Sequence, residues 1–205
     1  MTRALGIIAA AAIILLFATL MIVIMPAVQL QTPSHPSPGL KPYSEQAQRG
    51  RATYVSLGCV YCHSQQPRDP GQAPDGIRGW GRPAVPGDYA YDYPHLLGTM
   101  RTGPDLLNIG ARQPSVDWHL THLYNPRAVV EHSTMPSYPF LFEVTDVVTA
   151  DDVVVKLPDA FAPPHGTVIA RPEALDLVEY LKELDRNYPV DVIPTVEKTD
   201  AEAQP

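Results

Sequence analysis

Two cysteines and a histidine lie close together in the segment GCVYCH, residues 58–63. Cys59 and Cys62 are the only cysteines in a chain of 205 residues. A zinc site would need a second ligand pair, a thioredoxin-like pair needs a βαβ setting that the proline-rich sequence downstream does not supply, and a disulfide would leave His63 without a role. The remaining chemistry is covalent attachment of one haem c, with thioethers to both cysteines and iron bound by His63.

The sixth iron ligand decides between electron transfer and binding of small molecules at the iron. Three of the five methionines lie in the apolar N-terminal segment. Met100 directly precedes TGPDL, residues 102–106, the turn expected to accept a hydrogen bond from the second ring nitrogen of His63. Met135 remains, in the segment STMPSYP where Pro136 fixes the loop. We therefore predict His63 and Met135 as the axial ligands of the haem iron.

Two further histidines, His119 and His122, fall on one face of a predicted helix. A metal site or an alternative axial ligand would need a third ligand, and none stands nearby in sequence. The spacing favours hydrogen bonds to a haem propionate or to a partner subunit, and the interpretation as simple surface histidines stays open.

The segment from Ala4 to Met25 contains 22 residues and no charge. At 1.5 Å per residue, such a helix spans roughly the ~30 Å hydrocarbon core of a bilayer. A cleaved signal peptide would typically have an apolar region of only ~7–15 residues, so we expect a retained anchor. Arg3 before the span then places the rest of the chain on the periplasmic side of a bacterial inner membrane, as a single-pass protein.

The formal net charge of −7 is unevenly distributed along the chain. Residues 51–142 contain seven arginines, seven carboxylates and no lysine, whereas residues 143–205 contain five basic and fourteen acidic side chains. The absence of a basic surplus argues against nucleic acid as a partner. Arginine in the middle third suits bidentate pairing with carboxylates of the protein or a cofactor, and the acidic end reads as a solvated surface and tail.

Local signals predict a mostly α-helical protein. A helix should begin after Ser44 and end near Gly58. A second should cover 117–124, with Ser115 as its cap, and a third should begin at Pro172 with the apolar stripe Ala174, Leu177, Val178, Leu181 and Leu184.

Between these helices we expect a long irregular loop over 67–94 that is not disordered, because its Trp80, Tyr89, Tyr91 and Tyr93 need something to pack on. The valine-rich residues 143–157 predict a small β-hairpin around an Asp-Asp turn, with an additional strand at 167–170. The predicted organisation is an anchor at 1–30, a Pro/Ser-rich spacer at 31–42, a domain at 43–188 with an insertion at about 143–170, and a disordered tail at 189–205.

Three segments carry a family resemblance. They are LKPYSEQAQRGR..YVSLGCVYCHSQ, YDYPHLLGTMRTGPDL and DWHLTHLYNPRAVVEHSTMPSYPFLF, and the third is far more specific than the Cys-x-x-Cys-His motif. With these segments, the chain resembles the membrane-anchored monohaem cytochrome c subunit (FixO-like, subunit II) of cbb(3)-type haem–copper oxidases.

The resemblance implies a class I cytochrome c fold, in which Gly50 and Tyr54 on the first helix meet Tyr180 and Leu181 on the last. Cys59, Cys62, His63 and Met135 carry over as the haem residues. It also implies a subunit that is not catalytic alone, with a polytopic haem–copper catalytic subunit and a donor cytochrome c or second cytochrome c subunit as partners. A subunit of a nitric oxide reductase-like complex and a free-standing anchored shuttle stay open as alternatives.

Overall fold

A computed structural model describes residues 2–31 and 35–190 of the chain. Its regular structure is mostly helical with one small sheet, as the sequence predicts. The α-helices are α1 (Thr2–Thr19), α2 (Met25–Gln31), α3 (Glu45–Ser56), α4 (Ile109–Arg112), α5 (Val116–Tyr124) and α6 (Pro172–Glu183). The strands are β1 (Phe142–Thr145) and β2 (Thr167–Ala170). Contacts divide the chain into two compact units. One includes residues up to Pro38 together with Val85–Tyr91, and the other is formed by Gly39–Ala84 and Asp92–Pro189.

The N-terminal apolar segment is helical through α1 and α2, which are joined by a π-helical turn at Leu20–Ile24. Pro26 gives a physical reason for this turn. It has no N–H to donate to the carbonyl of Ile22, and its ring would clash with that carbonyl in a regular α-helix. The N–H that follows the turn instead reaches back five residues, the wider spacing of a π-bulge. By length and composition the stretch Arg3–Gln29 is long and apolar enough to cross a membrane, so a helix of the predicted membrane-spanning type is present.

The predicted spacer is held by hydrogen bonds where it is described. The N–H of Ser37 donates to the carbonyl of Gly87 over 3.1 Å, and the Ser37 hydroxyl donates to a carboxylate oxygen of Asp88 over 3.0 Å. Residues 32–34 of the spacer and residues 191–205, most of the predicted tail, lie outside the described part of the chain. The domain limits given above stay predictions.

Helices α3 and α6 cross in close contact, and Gly50 lies at the crossing. A Cβ atom at Gly50 would clash with the backbone carbonyl of Asp176 and lie 2.9 Å from the Cα of Leu177. One turn further along α3, the ring of Tyr54 packs edge-on against Tyr180, with centroids 5.5 Å apart. Tyr54 therefore meets Tyr180 as expected, whereas the atoms nearest to Gly50 belong to Asp176 and Leu177, one turn earlier on α6.

The three helices predicted for the region beyond the anchor begin at the expected signals. The hydroxyl of Ser44 accepts the N–H of Ala47 over 3.1 Å at the start of α3. The hydroxyl of Ser115 does the same for Trp118 over 3.2 Å at α5, so that α5 begins one residue before its predicted start. Pro172 is the first residue of α6. The predicted apolar stripe of α6 is buried throughout: Ala174, Leu177, Val178, Leu181 and Leu184.

The loop over 67–94 is irregular, as predicted, apart from a short 3₁₀ turn at Pro86–Tyr89. Trp80 and Tyr89 are buried, but Tyr91 is 43% exposed and Tyr93 is 90% exposed. The expectation that all four aromatic rings need something to pack on is therefore wrong for Tyr93 and holds only in part for Tyr91. A tyrosine tolerates exposure because its hydroxyl stays solvated, so its presence in a loop does not by itself indicate a packed position.

The predicted hairpin over 143–157 is wrong in its pairing. Strand β1 pairs antiparallel with β2, so that Phe142 lies opposite Ala170, and the segment beyond the Asp-Asp turn contributes a single bridge between Val154 and Ile169. The observed pairing buries Phe142 and Val168 in the core. Local valine content predicts strands but not their partners, because the partner is chosen by which face becomes buried.

Replacing Gly50 by alanine is expected to destabilise the protein. An alanine in a helix interior is normally more stable than glycine by ~0.5–1 kcal/mol, but here the added methyl group would meet the backbone of α6, and overpacking typically costs about 1–3 kcal/mol. Denaturant unfolding followed by circular dichroism measures the net change. Ala52→Gly, at an exposed site of α3, is the matched control and should lose only the ~0.5–1 kcal/mol of helix propensity. A Gly50→Ala protein at least as stable as the wild type would contradict the close crossing.

Candidate functional site

A cavity of about 480 Å³ opens beside the cysteine motif. Its volume falls within the ~300–1,000 Å³ typical of ligand pockets. All four residues predicted from the sequence line this cavity: Cys59, Cys62, His63 and Met135. Met135 lies more than seventy residues after the other three in the chain. The rest of the lining is mostly apolar and includes Leu106, Ile109, Leu123, Leu177 and Leu181. The structure therefore brings the four predicted site residues to one cavity.

The cysteine motif begins where α3 ends. Gly58 follows the helix with φ of 72°, in the left-handed region that glycine adopts at little cost. The chain then forms a 3₁₀ turn, in which the N–H groups of Cys62 and His63 both point to the carbonyl of Cys59, over 3.2 Å and 2.9 Å. Cys59 and Cys62 are free cysteines, and burial raises the pKa of the Cys59 thiol to about 11. The turn places both thiols and the imidazole within one short loop.

The imidazole of His63 is oriented by the next loop, as the sequence predicted. Its Nδ1 lies 2.7 Å from the carbonyl oxygen of Pro104, within the TGPDL turn. A proton on Nδ1 satisfies this hydrogen bond and leaves the lone pair on Nε2. Burial is the main cause of the lowered pKa of His63, which favours the neutral imidazole. Gly103 packs directly on the ring, because a Cβ there would lie 2.6 Å from Nδ1.

The loop that carries Met135 is fixed by Arg127. The guanidinium donates to the carbonyls of Ser133 and Met135, over 3.0 Å and 3.3 Å, and to the hydroxyl of Ser137 over 3.1 Å. Met100, the methionine excluded above, is 51% exposed. Sequence reasoning found Met135 but not Arg127, whose only signal was its place in NPRAVV a few residues upstream.

Of the two helical histidines, His119 is buried and His122 is half-buried. His119 is 3% exposed and its Nε2 lies 2.8 Å from the carbonyl of Gln113. His122 stacks on Trp118 with ring centroids 4.6 Å apart, and both histidines line the cavity. The Nδ1 atom of His122 is buried and has no hydrogen-bond partner within the described residues. Burial, then the neighbouring His119 and His63, lowers the pKa of His122 to about 4. The interpretation as a simple surface histidine is therefore wrong for His119, whereas for His122, which is half-buried, it stays open.

Arg112 is a cavity residue that sequence reasoning missed. Its Nη2 donates to the backbone carbonyl of Asp105, its Nε is buried without a hydrogen-bond partner in the described part of the chain, and burial lowers its pKa. A buried guanidinium is costly unless an anion lies against it. Its sequence signal was weak, because α4 has only the four residues IGAR and nothing marks this arginine among the seven of the middle third.

Comparison with known protein families gives one clear match. The family described as "Cytochrome C oxidase, mono-heme subunit/FixO" matches residues 1–168, which include the apolar helix, the cysteine motif and the Met135 loop. No curated protein matches the chain with significance.

The free energy of unfolding is expected to fall as pH is lowered from the ordinary histidine range to about 4. Unfolded His122 takes up its proton near pH 6.5, whereas the folded form does so near pH 4. In that window the unfolded state binds more protons, so stability rises with pH, by up to about 1.4 kcal/mol per unit. Burial lowers the pKa of His119 as well, which adds a contribution of the same sign.

Denaturant unfolding at a series of pH values measures this dependence, and His122→Gln should reduce its slope because it removes one of the three histidines whose pKa is lowered by burial. Equal slopes in the variant and the wild type would show that His122 is not buried as a neutral side chain.

Proposed function

The chain belongs to the FixO family of mono-haem cytochrome c oxidase subunits, and on that basis we propose that it is the membrane-anchored electron-transfer subunit of a terminal oxidase. It receives electrons from a donor cytochrome c or a second cytochrome c subunit. It passes them to a polytopic haem–copper catalytic subunit of the cbb(3) type, which reduces O2 to water. The observation that carries the proposal is the convergence of Cys59, Cys62, His63 and Met135 on one mostly apolar cavity.

The residues around this cavity fit one covalently bound haem c. Cys59 and Cys62 would form the thioethers, because both are free and lie on the turn that ends in His63. His63 and Met135 would ligate the iron. The Nδ1 of His63 is already hydrogen-bonded to the carbonyl of Pro104, and the thioether of Met135 lies on the loop that Arg127 fixes. The bound group supplies reversible transfer of one electron, and Met/His ligation raises its reduction potential and closes the iron to small ligands. These residues therefore suit electron transfer better than chemistry at the iron.

The polar atoms left unpaired in the cavity wall suit the carboxylate groups of a haem. The Nε of Arg112 and the Nδ1 of His122 are both buried without partners among the described residues. A guanidinium can bind a carboxylate through charge-assisted hydrogen bonds, and an imidazole whose pKa is lowered can donate as a neutral N–H. We assign both side chains to binding of propionate, one of the alternatives that the sequence left open for His122.

The apolar helix Arg3–Gln29 would hold this haem region at a membrane surface. The positive charge of Arg3 before the span favours a cytoplasmic N-terminus, so the cavity would lie on the periplasmic side of a bacterial inner membrane. Covalent attachment of haem is useful there, because a haem bonded to the chain is retained by a domain with little regular structure.

Purification of the affinity-tagged chain from its native membrane tests this function. We expect it to bring with it a polytopic subunit that contains haem and copper, and we expect haem to stay bound to the chain after denaturation. The complex should consume O2 with a reduced cytochrome c as donor. The double variant Cys59→Ser, Cys62→Ser should lose the denaturation-resistant haem.

Two outcomes would contradict this proposal. A haem-containing chain that purifies alone in mild detergent would indicate a free-standing shuttle. A complex that reduces nitric oxide and consumes no O2 would indicate the reductase alternative.

Met135→Ala should open the iron of the haem-loaded chain. We expect the reduced variant to bind carbon monoxide and its reduction potential to fall by a sizeable part of the ~0.8 V range over which axial ligands act. Met100→Ala is the matched control, since Met100 is half exposed, and it should keep the wild-type potential. Carbon monoxide binding by the wild type, unchanged in Met135→Ala, would exclude Met135 as a ligand.

A further inference from the structure

The segment at residues 143–159, which we call the acidic lobe, leads out of β1 and carries an excess of negative charge. It contains Glu143, Asp146, Asp151, Asp152 and Asp159 and a single basic side chain, Lys156. Lys156 is already neutralised, because its Nζ lies 2.5 Å from a carboxylate oxygen of Asp117 on α5. The carboxylates of the lobe are therefore not balanced by a cation of their own.

Two of these five carboxylates have partners within the protein, and the other three are exposed and have no structural role. Asp152 accepts hydrogen bonds from the N–H and hydroxyl of Thr149 over 2.7 Å and 2.8 Å, and Glu143 lies 3.8 Å from a guanidinium nitrogen of Arg171. No salt bridge within the described residues involves the other three, which are Asp146, Asp151 and Asp159. An isosteric amide at each would change charge and little else.

The same lobe exposes a group of apolar side chains. Val147 is 74% exposed, Val144 is 51% exposed, and Val148 and Val154 are 44% and 39% exposed. Exposed apolar side chains rimmed by charges mark surfaces that bind other proteins, and an apolar centre with a charged rim is the usual composition of such an interface.

The lobe is attached at both sides to elements that form the cavity wall. The N–H of Leu141, just before the lobe, donates to the carbonyl of Tyr138 over 3.1 Å, and Tyr138 lines the cavity. At the other side, the hydroxyl of Thr121 on α5 donates to the carbonyl of Lys156 over 2.9 Å. Since α5 also carries His119 and His122, the lobe is joined by hydrogen bonds to two elements that line the proposed haem cavity.

We propose that the acidic lobe is the docking surface for a small, positively charged electron-carrier protein. This inference rests on the proposed function. The negative charge selects a basic partner and speeds its approach, an effect worth ~10–10³-fold in association rate at low salt. The exposed valines provide the small contact typical of weak electron-transfer encounters. In the encounter the carrier loses one electron and this chain gains one, with no proton transferred and no bond formed or broken.

Stopped-flow reduction of the full, haem-loaded chain in detergent tests this surface. The probe is a pre-reduced soluble cytochrome c of positive net charge. The triple variant Asp146→Asn, Asp151→Asn, Asp159→Asn should react about tenfold more slowly at low ionic strength, within the range that charge steering covers. The two proteins should converge at high salt, because screening removes the attraction. The matched control neutralises three carboxylates on α3 and α6 (Glu45→Gln, Glu173→Gln, Glu179→Gln) and should leave the rate within a factor of two or so of the wild type.

A second probe separates docking from a general effect of net charge. A reduced carrier of negative net charge should react faster with the triple variant than with the wild type. Val147→Ser should weaken the encounter with the basic carrier at every salt concentration.

Equal rates for the triple variant and the wild type at low salt would overturn the proposal, and so would equal slowing by the control triple. A wild-type chain without haem, or with haem that a chemical reductant cannot reduce, would refute the proposed function itself and this inference with it.

Discussion

The guanidinium of Arg101 lies between two fully buried carboxylates, and most of the loop structure around the cavity depends on it. Its Nη2 lies 3.1 Å from Asp75 and 3.0 Å from Asp105, and it donates to the carbonyl of Gln66 over 2.7 Å. Asp75 also pairs with Arg68, but Asp105 has only Arg101 as a cation among the described residues. Removal of Arg101 would therefore leave the buried carboxylate of Asp105 uncompensated, which typically costs ~3–5 kcal/mol. The hydrogen bond from Arg68 is the main cause of the lowered pKa of Asp75, at about 2, whereas burial raises the pKa of Asp105.

This ion cluster joins three segments of irregular backbone. Asp75 belongs to the long irregular loop, Gln66 follows the cysteine motif, and Asp105 follows Pro104, which orients His63. The carboxylate of Asp105 also accepts the N–H of Gln66 over 2.7 Å. The position of the imidazole is therefore set by a contact that is itself fixed through Arg101, while the α3–α6 crossing supplies the apolar wall behind it.

The helices could be predicted because their signals are local. Each start signal lies within one turn of the helix that it begins: Ser44, Ser115 and Pro172. The spacing of the apolar residues in α6 likewise indicates which face of the helix is buried. The motif residues His63 and Met135 could be predicted because their chemistry is carried by residue type and spacing.

What could not be predicted depends on distant parts of the chain. Strand β1 pairs with β2 rather than with the nearer valine run, since burial of Phe142 against Tyr124, at 5.4 Å between ring centroids, decides the partner. Likewise, no local pattern in the sequence around Arg112 or His119 indicates that these side chains are shielded from water. Burial is a property of the packed structure and not of a local pattern.

The use of arginine without lysine in the middle third has a second cause besides the one expected, since Arg51 and Arg101 as well as Arg68 lie against carboxylates. The sequence suggested bidentate pairs with carboxylates, and Arg68 does pair with Asp75 in that way. Most of the seven also donate to backbone carbonyls: Arg51 to those of Tyr93 and Pro94, Arg82 to those of Pro83 and Tyr188, Arg112 to that of Asp105 and Arg127 to those of Ser133 and Met135. Loops leave carbonyls without helix or sheet partners, and one guanidinium has five N–H donors in a rigid plane, where an ammonium has three on a flexible stem. In a domain whose candidate ligands lie on loops, arginine is the side chain that can donate hydrogen bonds to two segments of irregular backbone at once.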